Sequence, residues 1–310
     1  MPKVNHLDNN IKLEGKRVLI RTDFNVPLNN GYITEASRIE KVLPTIKFLI
    51  NSKAKIIIIS HIGRPKGKNV PSLSLKPIAK KLKDLLNKNV LFFDKTVGIE
   101  VVEKSKKISN GDILVLENLR FHEGEELNSE NFAKELSKNG DIFVNEAFSC
   151  SHRAHASVSE ITKHIKSFAG KQLTEEVNSI KMITDDAKKP VSCIIGGSKI
   201  STKIGVLSNL IKKMENIVIV GAMANNFIKH KKFVIGKSLF EKNVENLIEN
   251  IIKQSEIHNC KLIAPNDVIV SKDLNSEGTL KNLNEINESD IILDIGSKTI
   301  ETISKIIDNS

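Results

Sequence analysis

RVLIRTDFNVPLNNGYITEASRIEKVLPTIKFLINSKAKIIIIS, residues 17–60, is the stretch whose reading decides the fold. It opens on a short aliphatic run, RVLIR (17–21), and continues into EASRIEKVLPTIKFLINS (35–52), where apolar residues recur at helical spacing. It closes on a second run, KIIIIS (55–60). Strand, helix and strand in that order make a βαβ unit. Runs this continuously apolar belong to strands buried on both faces, as in a parallel sheet covered by helices. The alternation carries on through LSLKPIAKKLKDLLN (73–87), VLFF (90–93), ILVLE (113–117), NFAKELSKNG (131–140) and DIFVNE (141–146).

A polar, helix-compatible segment, KQLTEEVNSIKMITDDAKK (171–189), is then stopped by Pro190 and reads as an interdomain helix. Beyond it a second series begins, with strand-like VSCII (191–195), NIVIV (216–220), KLIA (261–264) and DIILDIG (290–296). The helical stretches between them are 202–214, 222–230 and 242–256, and a last one follows residue 296. The expected fold class is therefore α/β, with two doubly wound, Rossmann-like parallel-sheet domains. Residues 1–170 form the first, 171–189 the hinge helix and 190–310 the second. About half a sheet follows residue 190, and a doubly wound sheet needs both halves around its ligand crevice, so the second domain reads as incomplete. A chain of 310 residues is long enough for two cores.

Composition narrows the function. With 40% apolar and 27% charged residues the chain is globular. No apolar run approaches a membrane span, and MPKVNHLDNNIK at the start is too polar for a signal peptide, so a cytoplasmic protein is expected. Cys150, Cys193 and Cys260 are too scattered for a disulfide framework or a thiolate metal site and read as buried free thiols. The net charge of +10 is uneven: residues 1–170 hold 28 Lys+Arg against 19 Asp+Glu, and residues 171–310 hold 19 against 18. With one Tyr and no Trp the chain offers few stacking platforms for nucleic acid, so a small, highly anionic ligand suits the basic half better.

Only six basic residues are arginine, namely Arg17, Arg21, Arg38, Arg64, Arg120 and Arg153, and none lies beyond residue 153. Where lysine otherwise serves, arginine marks places that need a planar, forked donor. Arg17, flanking a strand, reads as a surface charge. In α/β sheets ligands collect at the carboxyl ends of strands. The strand ends here carry Asp23-Phe24-Asn25, His61-Ile62-Gly63-Arg64, Glu117-Asn118-Leu119-Arg120 and Asn145-Glu146-Ala147-Phe148, the last followed by His152-Arg153-Ala154-His155. Several such loops on one sheet edge point to an anion pocket. In the second half, Gly196-Gly197-Ser198-Lys199 follows a strand and precedes a helix, where backbone and helix dipole favour phosphate. Its spacing is neither GxxxxGK[ST] nor GxGxxG.

RTDFNVPL, SHIGRPKG, ENLRFHEGEE, NEAFSCSHRAHAS and GGSKISTKIGVLSNL closely resemble, in order and spacing, the signature segments of phosphoglycerate kinase. The resemblance spans essentially the whole chain. It implies reversible phosphoryl transfer between ATP and 3-phosphoglycerate, giving ADP and 1,3-bisphosphoglycerate, with Mg2+ accompanying the nucleotide and a monomeric enzyme. Substrate-binding residues would be Asp23, Phe24, Asn25, Arg38, His61, Ile62, Gly63, Arg64, Arg120 and Arg153. Asp23 and Asn25 would hold the hydroxyl and carboxylate end. His61, Arg64, Arg120 and Arg153 would hold the phosphate that is not transferred. For His61 a loop-bracing role stays open. Arg38 and Lys199 are the implied catalytic pair, Arg38 near the accepting carboxyl and Lys199 on the transferring group. Gly196, Gly197, Lys199, Lys203, Gly221 and Gly296 are implied on the nucleotide side, although Gly221 reads equally well as a packing glycine. The resemblance also implies cleft closure about residues 171–189.

The chain departs from the family pattern in ways that bear on function. Members run roughly 80 to 100 residues further, through a ribose-contacting glutamate and a Mg2+-binding aspartate, so no metal ligand is expected within these 310 residues. Glu146 stands where the family more often has Asp, and Ser149-Cys150-Ser151 are atypical. The rival reading is a non-catalytic fragment that binds the triose acid without turnover. Nucleic-acid binding through the basic half is a third.

Overall fold

The structure, a computed structural model, describes residues 4–29, 31–185 and 187–310. The chain divides after Ile180 into two compact units.

In the first unit six strands form one sheet. Their order is Val90–Phe93, Ile113–Leu116, Lys55–Ile59, Arg17–Arg21, Ile142–Asn145 and Ser167–Ala169, and every pairing is parallel. The apolar runs split by strand period. Val18, Ile20, Ile56, Ile58, Ile113 and Val115 face one layer with Ile46, Leu49, Ile78 and Leu82 from the helices. Leu19, Ile57, Ile59, Leu114, Leu116 and Phe143 face the other, with Val101, Phe132 and Leu136. Both faces are dry, which is why these strands carry no polar alternation. The register pairs Arg21 with Ile59 and with Asn145, so three neighbouring strands leave the sheet at one level. The loops carrying Asp23, His61 and Glu146 therefore start side by side.

The second unit holds two small sheets. Lys261–Ile263, Asn216–Val220 and Ser192–Gly196 form a parallel sheet in that order. Ile195, Ile217 and Ile219 pack on Leu207, Ile211, Met223, Phe227, Ile248 and Ile251 from three helices. On the opposite face Val218 and Ile263 meet Ile303 of the Ser297–Asp308 helix. Ile194, on the edge strand, stays 50% exposed. The second sheet is antiparallel, with Asp267–Ser271 between Thr279–Asn282 and Ile291–Ile295 and a register shift at Ile269/Val270. The sequence reading identified Ile291–Ile295 as a strand but saw neither of its companions. They are short and separated by a polar turn, KDLNSEG (272–278), with no long apolar run to announce them.

The segment expected to be helical over 171–189 is helical over Lys171–Thr184. Residues 187–189 are not helical, and at Lys189, directly before Pro190, the proline disfavours the α region.

Candidate active site

The first unit's pocket is organised by a residue that the sequence reading left unassigned. Arg21, the last residue of its strand, is completely buried. Its Nε donates to Ser157 Oγ at 2.8 Å, and its Nη2 lies 3.1 Å from His61 Nδ1 and 3.9 Å from Glu125 Oε1. Glu125, also fully buried, accepts from the Ser157 hydroxyl at 2.6 Å and the Ser157 N–H at 3.0 Å. A buried ion pair of this kind adds little net stability, but removing one partner costs about 3–5 kcal/mol. Its consequence here is geometric, because it fixes His61.

Arginine can only donate, so His61 Nδ1 is the accepting nitrogen and the proton sits on Nε2. Burial, followed by the charges of Arg21, Arg120 and Arg153, drives the His61 pKa far below the usual histidine range. His61 is thus a neutral imidazole whose Nε2–H remains as a donor. Both roles left open by the sequence are compatible in one side chain, since Nδ1 braces and Nε2 can bind.

Arg120 is 2% exposed, and its Nη1 donates to the Gly63 carbonyl at 2.7 Å. Its Nε lies 3.3 Å from Glu126 Oε1 but makes no hydrogen bond. Burial lowers its pKa, opposed by Glu126 and aided by Arg153. Asn118 joins the two loops, donating to the Ile62 and Leu73 carbonyls at 2.8 and 2.9 Å and accepting from the Arg120 N–H at 3.0 Å. Arg153 is half-buried and its charge acts on both Arg120 and His61, while Arg64 is exposed. Three of the four residues expected around the phosphate therefore share one electrostatic neighbourhood. Arg17 is more than a surface charge, since it forks onto Asp141 Oδ1 at 2.7 and 3.3 Å and donates to the Lys138 carbonyl at 2.9 Å.

Beside this cluster, Asp23 Oδ2 accepts from Arg38 Nη1 at 2.5 Å and from the Ser149 hydroxyl. Asn25 Oδ1 accepts from the Gly63 N–H at 2.9 Å, linking the two loops. Gly63 has φ +64°, and a Cβ there would lie 2.9 Å from Leu73. Phe24 and Ile62 turn into the core, and the Phe24 N–H and C=O and the Ile62 carbonyl are already hydrogen-bonded to Ser60, Val26 and Asn118. A cavity of about 220 Å3 is lined by Asp23, Arg38, Lys41, Glu146, Ser149 and Gln172 among others. Glu146 is buried and caps the Lys171–Thr184 helix, accepting from Leu173 N–H at 2.9 Å, Gln172 N–H at 3.3 Å and the Thr45 hydroxyl. Burial pushes its pKa up against these hydrogen bonds.

In the second unit Gly197 and Gly221 meet backbone to backbone. The Met223 N–H donates to the Gly197 carbonyl at 2.8 Å, Gly221 has φ +69°, and a Cβ on it would lie 3.3 Å from Gly197 N. The packing reading of Gly221 thus has direct support. Gly221 also lines a largely apolar cavity of about 190 Å3 with Ala222, Asn225, Leu239, Val268 and Leu293. Gly296 has a packing reason of its own, because a Cβ would lie 2.3 Å from the Asp267 carboxyl that caps the last helix through Lys298 and Thr299. Lys199 is exposed and Lys203 half-buried. The expected opening of N-terminal helix donors toward phosphate is only partly met, because Glu241 accepts from the Ser201 N–H at 3.0 Å and the Ser201 hydroxyl at 2.5 Å.

Among the described residues one trio, Asp23, His61 and Cys150, brings three ligand types within 4.8 Å. It does not suit Mg2+, which takes an oxygen shell. A metal-binding imidazole normally donates its second nitrogen to an acceptor, whereas His61 Nδ1 faces the donor Arg21. Among the described residues no helix is long and apolar enough to cross a membrane.

Three comparisons bear on this geometry. The family model described as phosphoglycerate kinase matches residues 8–310. A phosphoglycerate kinase of Wolbachia sp. subsp. Drosophila simulans (strain wRi) is 48% identical over 302 residues, covering 97% of this chain and 76% of the relative. One from Finegoldia magna is 41% identical, covering 97% and 77%. The solved phosphoglycerate kinase of Coxiella burnetii superposes with a TM-score of 0.85 at 37% identity, covering 96% of this chain and 76% of that one.

Proposed function

The chain belongs to the phosphoglycerate kinase family and is an enzyme of its reaction, reversible phosphoryl transfer between ATP and 3-phosphoglycerate, and from that premise we propose how its residues divide the work. The triose acid binds on the first unit. Arg64, Arg120, Arg153 and the Nε2–H of His61 hold the phosphate that stays. Asp23 and Asn25 take the hydroxyl and carboxylate end, and Arg38 steadies the carboxylate that accepts the phosphoryl group. The observation that carries this reading is the cation cluster around a neutral imidazole donor, with Arg120 almost wholly desolvated and its Nε facing Glu126 without a hydrogen bond. A dianionic phosphate supplies what such a cluster lacks.

Nucleotide falls to the second unit, with Gly196, Gly197, Lys199 and Lys203 on the phosphates and the apolar cavity beside Gly221 taking the adenosine end. Gly296 contributes indirectly, by seating Asp267. The family works with ATP or ADP and a divalent metal. We take that metal as Mg2+ carried on the nucleotide phosphates, where it would neutralise charge on the transferring group. No protein nucleophile is needed, because a loose transition state depends on in-line positioning and charge neutralisation. The cellular reading that goes with this is a cytoplasmic monomer handling small anions rather than nucleic acid, supported by the concentration of basic charge in the half that carries the anion pocket.

Steady-state kinetics test the assignment. Purified protein with Mg-ATP and 3-phosphoglycerate should form 1,3-bisphosphoglycerate, and Lys199→Met should lower kcat by about 100-fold with little change in acid affinity. An unchanged kcat would remove Lys199 from the transfer step.

A further inference from the structure

Asp23 holds the acid's hydroxyl in the reading above, yet its carboxylate is already occupied by the protein. Oδ2 accepts from Arg38 Nη1 at 2.5 Å and from the Ser149 hydroxyl. Oδ1 accepts from the Asn25 N–H at 3.2 Å and lies 4.0 Å from His61 Nδ1. The Ser149 donor is an aliphatic alcohol, chemically the same group as a hydroxyl carried by a sugar acid.

Ser149 lies in the Phe148–Cys150 turn, whose backbone is closed by the Cys150 N–H on the Ala147 carbonyl at 3.0 Å and the Ser151 N–H on the Phe148 carbonyl at 2.9 Å. The turn therefore does not depend on the side chain. Ser149 is exposed, and its remaining contact is a weak one to Cys150 Sγ at 3.9 Å. Rotation of one torsion moves the hydroxyl away, with water to receive it.

We propose that Ser149 is a stand-in for the substrate's hydroxyl: its Oγ occupies Asp23 until the hydroxyl next to the acid's carboxylate displaces it, which makes Ser149 a determinant of affinity for hydroxylated acids. The exchange replaces one alcohol-to-carboxylate hydrogen bond with another, so the contact contributes little to binding while Ser149 is present. The inference rests on the assignment of Asp23 to the hydroxyl.

Calorimetry with two ligands tests it, using 3-phosphoglycerate and 3-phosphonooxypropanoate, which lacks the hydroxyl. Ser149→Ala should tighten 3-phosphoglycerate about fivefold, since a hydrogen bond to a charged group no longer has to be broken. The same variant should leave 3-phosphonooxypropanoate within experimental error of the wild type. Unchanged or weaker binding of 3-phosphoglycerate overturns the proposal. Equal tightening of both ligands also overturns it, because Ser149 would then be a steric obstruction. If the two ligands bind the Ser149→Ala protein equally and both respond to Arg64→Ala, the assignment of the hydroxyl to Asp23 fails while the phosphate site stands. That separates the two failures.

Discussion

In the first unit the candidate residues stand at the ends of a six-stranded sheet covered on both faces, and buried partners fix the direction of His61 and Arg120. In the second they are glycine turns and two lysines beside a three-stranded sheet whose Ile194 stays half exposed. Arg21, Glu125 and Ser157 form a buried support behind His61, whereas Gly197 and Gly221 need only close backbone contact. A small, highly charged acid must be recognised by aimed donors, and aim requires a second layer of hydrogen bonds. A nucleotide offers apolar surface and phosphates that backbone can approach, so absent side chains serve it.

The largest expected effect strikes the support layer. Glu125→Ala leaves Arg21 as an uncompensated buried cation and should cost about 3–5 kcal/mol in urea unfolding. A loss under about 1 kcal/mol would mean the network does not hold the pocket as described. Gly221→Ala should come next, because it forces a side chain into φ +69° and against Gly197. We expect about 1–3 kcal/mol, with nucleotide affinity falling and acid affinity unmoved. Equal loss of both would erase the contrast between the units.

The smallest effect per step is a pH dependence. The folded state keeps His61 neutral well below its ordinary value of 6.5, so below that pH the unfolded chain binds the extra proton first. Stability is therefore present above pH 6.5 and falls as pH drops, at up to about 1.4 kcal/mol per pH unit from this residue. In His61→Gln that part of the slope should vanish between pH 6.5 and 5. A slope identical to the wild type would show that His61 does not stay neutral.

Much of this was legible in the sequence, and for identifiable reasons. The uninterrupted runs at 17–21 and 55–60 announce a buried parallel sheet, and polar residues just beyond them announce the pocket. Asp23, Asn25, His61, Arg64, Arg120 and Arg153 become candidates that way. The support layer is not, because Glu125 sits in a charged stretch, HEGEE, that reads as solvated surface, although the Glu125 side chain has no exposure. Arg21 was detectable in principle as a charge inside an apolar strand. Occupation of Asp23 by Ser149 and of Ser201 by Glu241 joins residues far apart in the chain, which no local pattern encodes. The antiparallel strands 267–271 and 279–282 were lost because neither carries a long apolar run and a polar turn separates them.

The central claim is that acid and nucleotide are read by different units, and paired calorimetric titrations of Arg64→Ala and Lys203→Ala test it most directly. The expected result is a crossed pattern. Arg64→Ala weakens 3-phosphoglycerate about tenfold or more and leaves Mg-ATP unchanged, while Lys203→Ala does the reverse. Comparable losses of both ligands in either variant would contradict the account.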